Sequence, residues 1–171
     1  MNKWIIFDVD DVISNYRQAV YEFFAKNGKN IHWSNWQSYN QCQVYGLKNQ
    51  TELHNHLMEN KILESSEIEF DAKATIRHFK TKGYKVGLLT ARSWHKNGFN
   101  VRVNFVKKHG LNIDQIELSG FFEDKKSKHL HKFKGSIEGF IDDNPHNVLD
   151  VMEYGVKKSF LLSRPWNKNS N

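Results

Sequence analysis

The stretch Trp4-Ile5-Ile6-Phe7-Asp8-Val9-Asp10-Asp11-Val12-Ile13 decides how the rest of the sequence is read. Four consecutive large apolar residues predict a strand buried on both faces, the pattern of a parallel sheet. Three carboxylates follow at once. Asp8 then stands at the carboxyl end of the strand, the edge where open α/β sheets bind ligands. Asp8 and Asp10 are two apart and point to one side if the extended conformation persists. Carboxylates this close repel one another unless a cation lies among them, and hard oxygen donors without Cys or His nearby suit Mg2+. The competing reading is a strand that runs into an acidic turn.

Beyond Ile13 the apolar period becomes helical. Tyr16, Val20, Phe23 and Phe24 share a face, and Asn27-Gly28 stops that helix. A further helix is expected from Thr51 to Asn60, with Leu53, Leu57 and Met58 inward. Residues 14–66 show no strand pattern and are rich in aromatics, so they read as a small helical cap inserted after the first strand. The α/β alternation resumes at Glu67. Ala72, Ile76 and Phe79 mark a helix ended by Gly83, and Lys85 to Thr90 is a second buried strand. Val101, Phe105 and Val106 lie on a helix closed by His109-Gly110, before a short strand from Gln115 to Leu118. A helix opening near Asp124 or Lys125 turns Leu130 and Phe133 inward. A fourth strand, Ile137 to Ile141, ends in Asp142-Asp143-Asn144-Pro145, and Pro145 suits the first turn of a helix carrying Val148, Leu149 and Val151. Lys158 to Leu162 is a last strand, followed by a polar tail from Asn167 to Asn171. The expected class is α/β, a Rossmann-like doubly wound parallel sheet built from residues 1–13 and 67–171.

At 171 residues the chain can bury one real core, and 13% aromatic with 39% hydrophobic content excludes general disorder. No apolar run approaches the roughly 20 residues of a membrane span. No signal-peptide layout is evident, and the single Cys42 rules out an internal disulfide and a cysteine zinc site, so a cytoplasmic setting is expected. A formal net charge of +6 favours phosphate-bearing partners over basic ones.

Three strand ends carry residues able to handle phosphate: Asp8 and Asp10 on the first, Thr90-Ala91-Arg92 on the second, Asp142-Asp143 on the fourth. In a parallel sheet these ends share one edge. A carboxylate there could attack phosphorus and form an aspartyl-phosphate. Asp10 could protonate the leaving oxygen and then activate water. Thr90 and a lysine could hold the phosphoryl oxygens.

Phe7-Asp8-Val9-Asp10-Asp11-Val12, Leu88-Leu89-Thr90, a lysine near 126 and Ile141-Asp142-Asp143 resemble the four ordered motifs of the haloacid dehalogenase (HAD) superfamily of phosphohydrolases. The resemblance spans Trp4 to Leu162, and the 14–66 insertion is similar to that superfamily's first-position cap. It implies that Asp8 is the nucleophile, Asp10 the general acid/base and, through its carbonyl, a metal ligand, and Thr90 a phosphoryl-binding group. Asp142 and Asp143 would complete a Mg2+ site with Asp8. Lys126, one turn before Leu130, ranks ahead of Lys125 as the catalytic lysine. The superfamily usually has Gly at the position of Asp11, so an altered turn is expected there. Val12, where Thr is commonest, and the ending Ser163-Arg164-Pro165-Trp166-Asn167 resemble the 5'(3')-deoxyribonucleotidases. That resemblance implies a phosphatase of (deoxy)nucleoside monophosphates. A polynucleotide 3'-phosphatase acting on a strand end, and a nucleotide-binding module without turnover, are the competing functions.

Other residues divide between two roles. Trp33 and Trp36 either stack a substrate base or form the core of the insertion. Arg92 and Arg164 either bind substrate phosphate or pair structurally. His54, His56, His129 and His131 have no zinc-ligand spacing and read as surface histidines.

Overall fold

The structure, a computed structural model, describes residues 1–120 and 124–168. The expected α/β class is what it shows. Strands β1 (Lys3–Phe7), β2 (Lys85–Thr90), β3 (Gln115–Leu118), β4 (Ser136–Asp142) and β5 (Ser159–Leu161) form one sheet in the order β3-β2-β1-β4-β5. Every pairing is parallel. β1 is central, flanked by β2 and β4, which explains why it is apolar on both faces. Ile5 and Phe7 pack with Val86 and Leu88 against Ile76, Phe105 and Leu111. Trp4, Ile6 and Leu89 pack on the other side against Leu130, Phe133 and Val151. Helices α5 (Ala72–Thr81) and α6 (Gly98–Lys108) thus cover one face, and α7 (Pro145–Glu153) with a 3-10 segment (Lys126–Lys132) covers the other. Gly87 is required on that second face, where a Cβ would lie 2.4 Å from the Phe133 ring.

Between β1 and α5 lie four helices, α1 (Tyr16–Lys26), α2 (Gln41–Tyr45), α3 (Gln50–Glu59) and α4 (Ile62–Ser65), and a 3-10 turn (Trp33–Asn35). They have a core of their own. Val20, Phe24, Trp36, Tyr45, Leu53, Leu57 and Leu63 pack together and meet Val101, Trp94 and Trp166 from the α/β layers. The two ends of this segment lie side by side. Ser14 Oγ donates to Ser66 Oγ at 2.9 Å, and the Asn15 amide donates to the Glu67 carbonyl at 2.7 Å.

Several expectations need correction. The segment after Lys125 is 3-10 rather than α-helical, although Leu130 and Phe133 are buried as expected. Leu149 is 55% exposed, because α7 turns Val148 and Val151 to the sheet and Leu149 away from it. Asn167 does not begin a solvated tail. It is buried, and its side-chain amide donates to the carbonyls of Asp143 at 2.7 Å and Leu162 at 2.8 Å. Residues 169–171 of the expected tail lie outside the described residues.

Candidate active site

The carboxyl edge of the sheet gathers the charged groups. Asp8 follows β1 directly, tied to β4 by its amide, which donates to the Ile141 carbonyl at 2.8 Å. Asp142 ends β4 one strand away. Lys126 reaches between them from the 3-10 segment, its Nζ donating to Asp8 Oδ1 at 2.6 Å and Asp142 Oδ2 at 2.7 Å. The amine is 2% exposed, and the two carboxylates keep it firmly protonated against the effect of burial. Asp142 also accepts from the Asn144 amide at 2.8 Å and from Asn147 Nδ2 at 3.1 Å. The structure therefore brings Lys126 into the site. Lys125 is turned outward toward Asp150, with its side chain 59% exposed.

Asp143 is buried beside this trio, and its Oδ2 accepts from Trp166 Nε1 at 2.9 Å. Asp8, Asp142 and Asp143 each offer a carboxylate oxygen within 4.8 Å of the others. Burial pushes the Asp8 carboxyl up to about 7, with Lys126 opposing and Asp142 reinforcing the shift. Burial and the neighbouring carboxylates push Asp143 well above its usual range as well. One ammonium does not satisfy three buried carboxyls. The donor set, oxygen only and short of positive charge, fits a small hard divalent cation such as Mg2+.

Asp10 has a different environment. Arg92 Nε donates to its Oδ2 at 2.7 Å, and Arg102 Nη2 reaches Oδ1 at 2.7 Å and Oδ2 at 2.8 Å. Burial alone would raise this carboxyl, but the Arg102 and Arg92 guanidiniums hold it below the ordinary range. Arg102 is fully buried on α6 and was not singled out in the sequence. Its signal there, a charged residue directly after Val101 on the apolar face, is weak. The Arg92 loop is pressed onto the start of α6. A Cβ at Gly98 would lie 2.4 Å from the Arg92 carbonyl, so only Gly admits this approach.

Asp11 adopts φ +60°, the left-handed conformation that glycine takes readily. The side chain that stands there is put to use. Asp11 Oδ1 accepts from the Arg17 amide at 2.8 Å and its guanidinium at 3.2 Å, while the Asp11 carbonyl accepts from Arg164 Nε at 2.9 Å. Arg164 is thereby a structural residue that also pairs with Glu69.

Thr90 ends β2 and is fully buried, and its Oγ1 has no hydrogen-bond partner among the described residues. An orphaned hydroxyl at a charged strand edge suits an oxyanion. A cavity opens in front of the edge, lined by Asp8, Asp10, Arg92, Ala91, Lys126 and Asp143 on one side. Residues of the insertion line the other, among them Trp36, Tyr39, Gln41, Gln50 and His54. Trp33 does not reach it. That ring lies under the Arg17 guanidinium at 4.6 Å and donates to Gln18 at 2.7 Å. Trp36 shows the cavity one edge but is 2% exposed, wedged between Tyr45 and Trp166. His54 belongs to the site rather than the surface. It stacks on Trp94 at 3.7 Å, and burial lowers its pKa to about 4.

No protein-family model matches the sequence, and no curated relative does. Solved structures match in fold. A hydrolase from Streptococcus pneumoniae TIGR4 is 16% identical over 95% of this chain and 93% of its own, with a TM-score of 0.64. A HAD-superfamily hydrolase, subfamily IA, from Geobacter sulfurreducens PCA is 14% identical over 97% and 94%, with a TM-score of 0.59. A chain of the Pnkp1/Rnl/Hen1 RNA repair complex is 15% identical over 95% of this chain but only 42% of its own, with a TM-score of 0.56. At these identities the likeness is one of fold alone, a fold shared with a HAD-superfamily hydrolase.

Proposed function

We propose that the protein is a Mg2+-dependent phosphomonoesterase of the 5'(3')-deoxyribonucleotidase type, releasing phosphate from (deoxy)nucleoside monophosphates. The observation that carries this reading is the Asp8–Lys126–Asp142 bridge, with Asp143 and the unpartnered Thr90 hydroxyl beside it. Asp8 is the nucleophile. Its carboxylate forms a bond to phosphorus as the ester P–O bond breaks, giving an aspartyl-phosphate and a free alcohol. Lys126 and Thr90 hold the phosphoryl oxygens. Asp8, Asp142 and Asp143, with the Asp10 carbonyl, would hold Mg2+, which would supply positive charge against the transferring group. Asp10, kept ionised by Arg92 and Arg102, is in the state needed to take a proton from the water that hydrolyses the aspartyl-phosphate. To protonate the leaving oxygen first, Asp10 must take up a proton from solvent before the P–O bond breaks. The substrate phosphate, competing for Arg92, would remove one of the two guanidiniums that oppose this uptake, while Arg102 stays. The 14–66 insertion acts as a cap that shields the reaction from water.

A second reading, a polynucleotide 3'-phosphatase, draws support from the fold shared with the RNA repair complex chain. A second hollow that shares Tyr39, Ala91, Lys126 and Asn147 with the main cavity would give a strand room to continue. Phosphate release is to be measured from nucleoside monophosphates, an aryl phosphate and a 3'-phosphorylated oligonucleotide, with Mg2+ and with excess chelator. Mg2+-dependent release from mononucleotides is expected. Preference for the oligonucleotide would install the second reading, and full activity after chelation and dialysis would defeat the metal assignment.

A further inference from the structure

We infer that the insertion's wall of the cavity recognises a nucleobase through the side-chain amides of Gln41 and Gln50. The inference rests on the phosphatase reading and adds the part of the substrate that is not phosphate.

The cavity has two chemically distinct ends. At the strand edge stand the carboxylates, Arg92 and Lys126. The far end is lined by Gln41, Gln50, Leu53, His54 and Leu57, and it carries no fixed charge. His54, the one titratable group of that set, is kept neutral by burial. A second phosphate or a carboxylate would have to share Arg92, which stacks on Tyr16 and Trp94 beside this wall and already pairs with Asp10. A flat, uncharged group with hydrogen-bonding edges fits better.

The two amides supply complementary groups. Gln50 Oε1 is buried without a hydrogen-bond partner, and its Nε2 reaches Asn40 Oδ1 only at 3.5 Å. Asn40 Oδ1 is already engaged by the Cys42 amide at 3.0 Å, as the cap of α2. A buried acceptor without a protein donor costs free energy until a donor is supplied. Gln41 is oriented by Tyr16, whose hydroxyl donates to its Oε1 at 2.9 Å, and this leaves the amide NH2 to donate. Among the described residues, the two lining amides therefore hold one acceptor and one donor that the protein leaves unmatched. The hydrogen-bonding edges of the nucleobases pair a donor with a neighbouring acceptor. A phosphosugar offers only hydroxyls and has no flat face. Tyr39, 41% exposed on the rim of the cavity, supplies the aromatic surface. Trp33 and Trp36 do not, one lying outside the cavity and the other being packed as core.

The test compares two substrates that share phosphate and sugar: a deoxynucleoside 5'-monophosphate, each base in turn, and 2-deoxyribose 5-phosphate. The readout is the ratio of their kcat/KM values within one enzyme preparation. A poorly folded fraction lowers both numbers and cancels from the ratio. The wild type should favour the best nucleotide by more than tenfold. Gln50→Leu and Gln41→Leu should each cut that ratio by about tenfold, the scale of one buried hydrogen bond. A wild-type ratio near one, or a ratio unmoved in both variants, overturns base recognition and leaves the phosphatase reading standing. No phosphate release from any substrate overturns the phosphatase reading instead, and this inference with it.

Discussion

Asp8→Asn separates chemistry from stability at one atom. The amide keeps an oxygen for Lys126 Nζ but is a poor nucleophile, so phosphate release should fall by more than a hundredfold. Its effect on folding is less obvious and follows from burial. Asp8 is held near pKa 7 in the native site against an ordinary 3.8. A carboxyl whose folded pKa is raised contributes stability below its unfolded pKa and loses that contribution as pH climbs through the folded value. Between pH 4 and 8 the wild type should therefore lose about 4 kcal/mol through Asp8, from a shift of about three units at 1.36 kcal/mol each. Asparagine does not titrate. Relative to wild type, the variant should gain about 4 kcal/mol over that window, and the gain should shrink when Mg2+ is present to neutralise the carboxylate. Urea unfolding in chelator at pH 4, 6 and 8 measures it directly. A difference between variant and wild type that stays flat with pH would refute the claim that the site is short of positive charge.

Arg102→Met should lower kcat by about a hundredfold with little change in KM, because Asp10 loses the anchor that positions it and general acid/base help is worth ~10²–10⁴-fold. Steady-state kinetics decide, and an unchanged kcat would mean that Arg92 alone suffices. The two tryptophans should part company in thermal unfolding. Trp36→Leu removes a fully packed ring and should cost roughly 2–3 kcal/mol, whereas Trp33→Leu should cost under about 1 kcal/mol and leave KM for nucleotides as it was. Equal losses of stability would contradict their placement.

What the sequence revealed and what it hid follow one physical line. β1 and β2 were legible because strands buried on both faces must be apolar nearly throughout, and β4 by Phe140-Ile141 running straight into Asp142-Asp143; their polar ends then stand out. Lys126 and Lys125 could be ranked but not separated, because the ranking counted one α-helical turn back from Leu130 and the segment is 3-10, with three residues to the turn. Asp10 and its arginines were not legible as a unit. Arg102 lies 92 residues from Asp10, and a lone arginine on an apolar helix face has no local pattern that tells a buried ion pair from a snorkelling surface residue. Asn167 was hidden for a similar reason. An amide satisfied by two backbone carbonyls looks, in sequence, like any residue of a polar tail. Leu149 erred the other way, since one apolar position too many on a short helix does not say which of them faces out.

The meeting of Ser14 and Ser66 bears on how such a protein can change over evolutionary time. Residues 14–66 leave the α/β layers and return to them at a single point, closed by the Ser14–Ser66 bond and the Asn15–Glu67 bond. The entropy of closing a loop grows only logarithmically with its length, so doubling such a segment adds about 0.6 kcal/mol. The sheet is nearly indifferent to what is inserted there. What constrains the insertion is the patch where it rests on Trp94, Val101 and Trp166 and where Arg17 bonds Asp11 and Glu69. Everything beyond that patch can lengthen, shorten or be replaced while Asp8, Thr90, Lys126 and Asp142 keep their positions, so the range of accepted substrates can drift independently of the bond being broken.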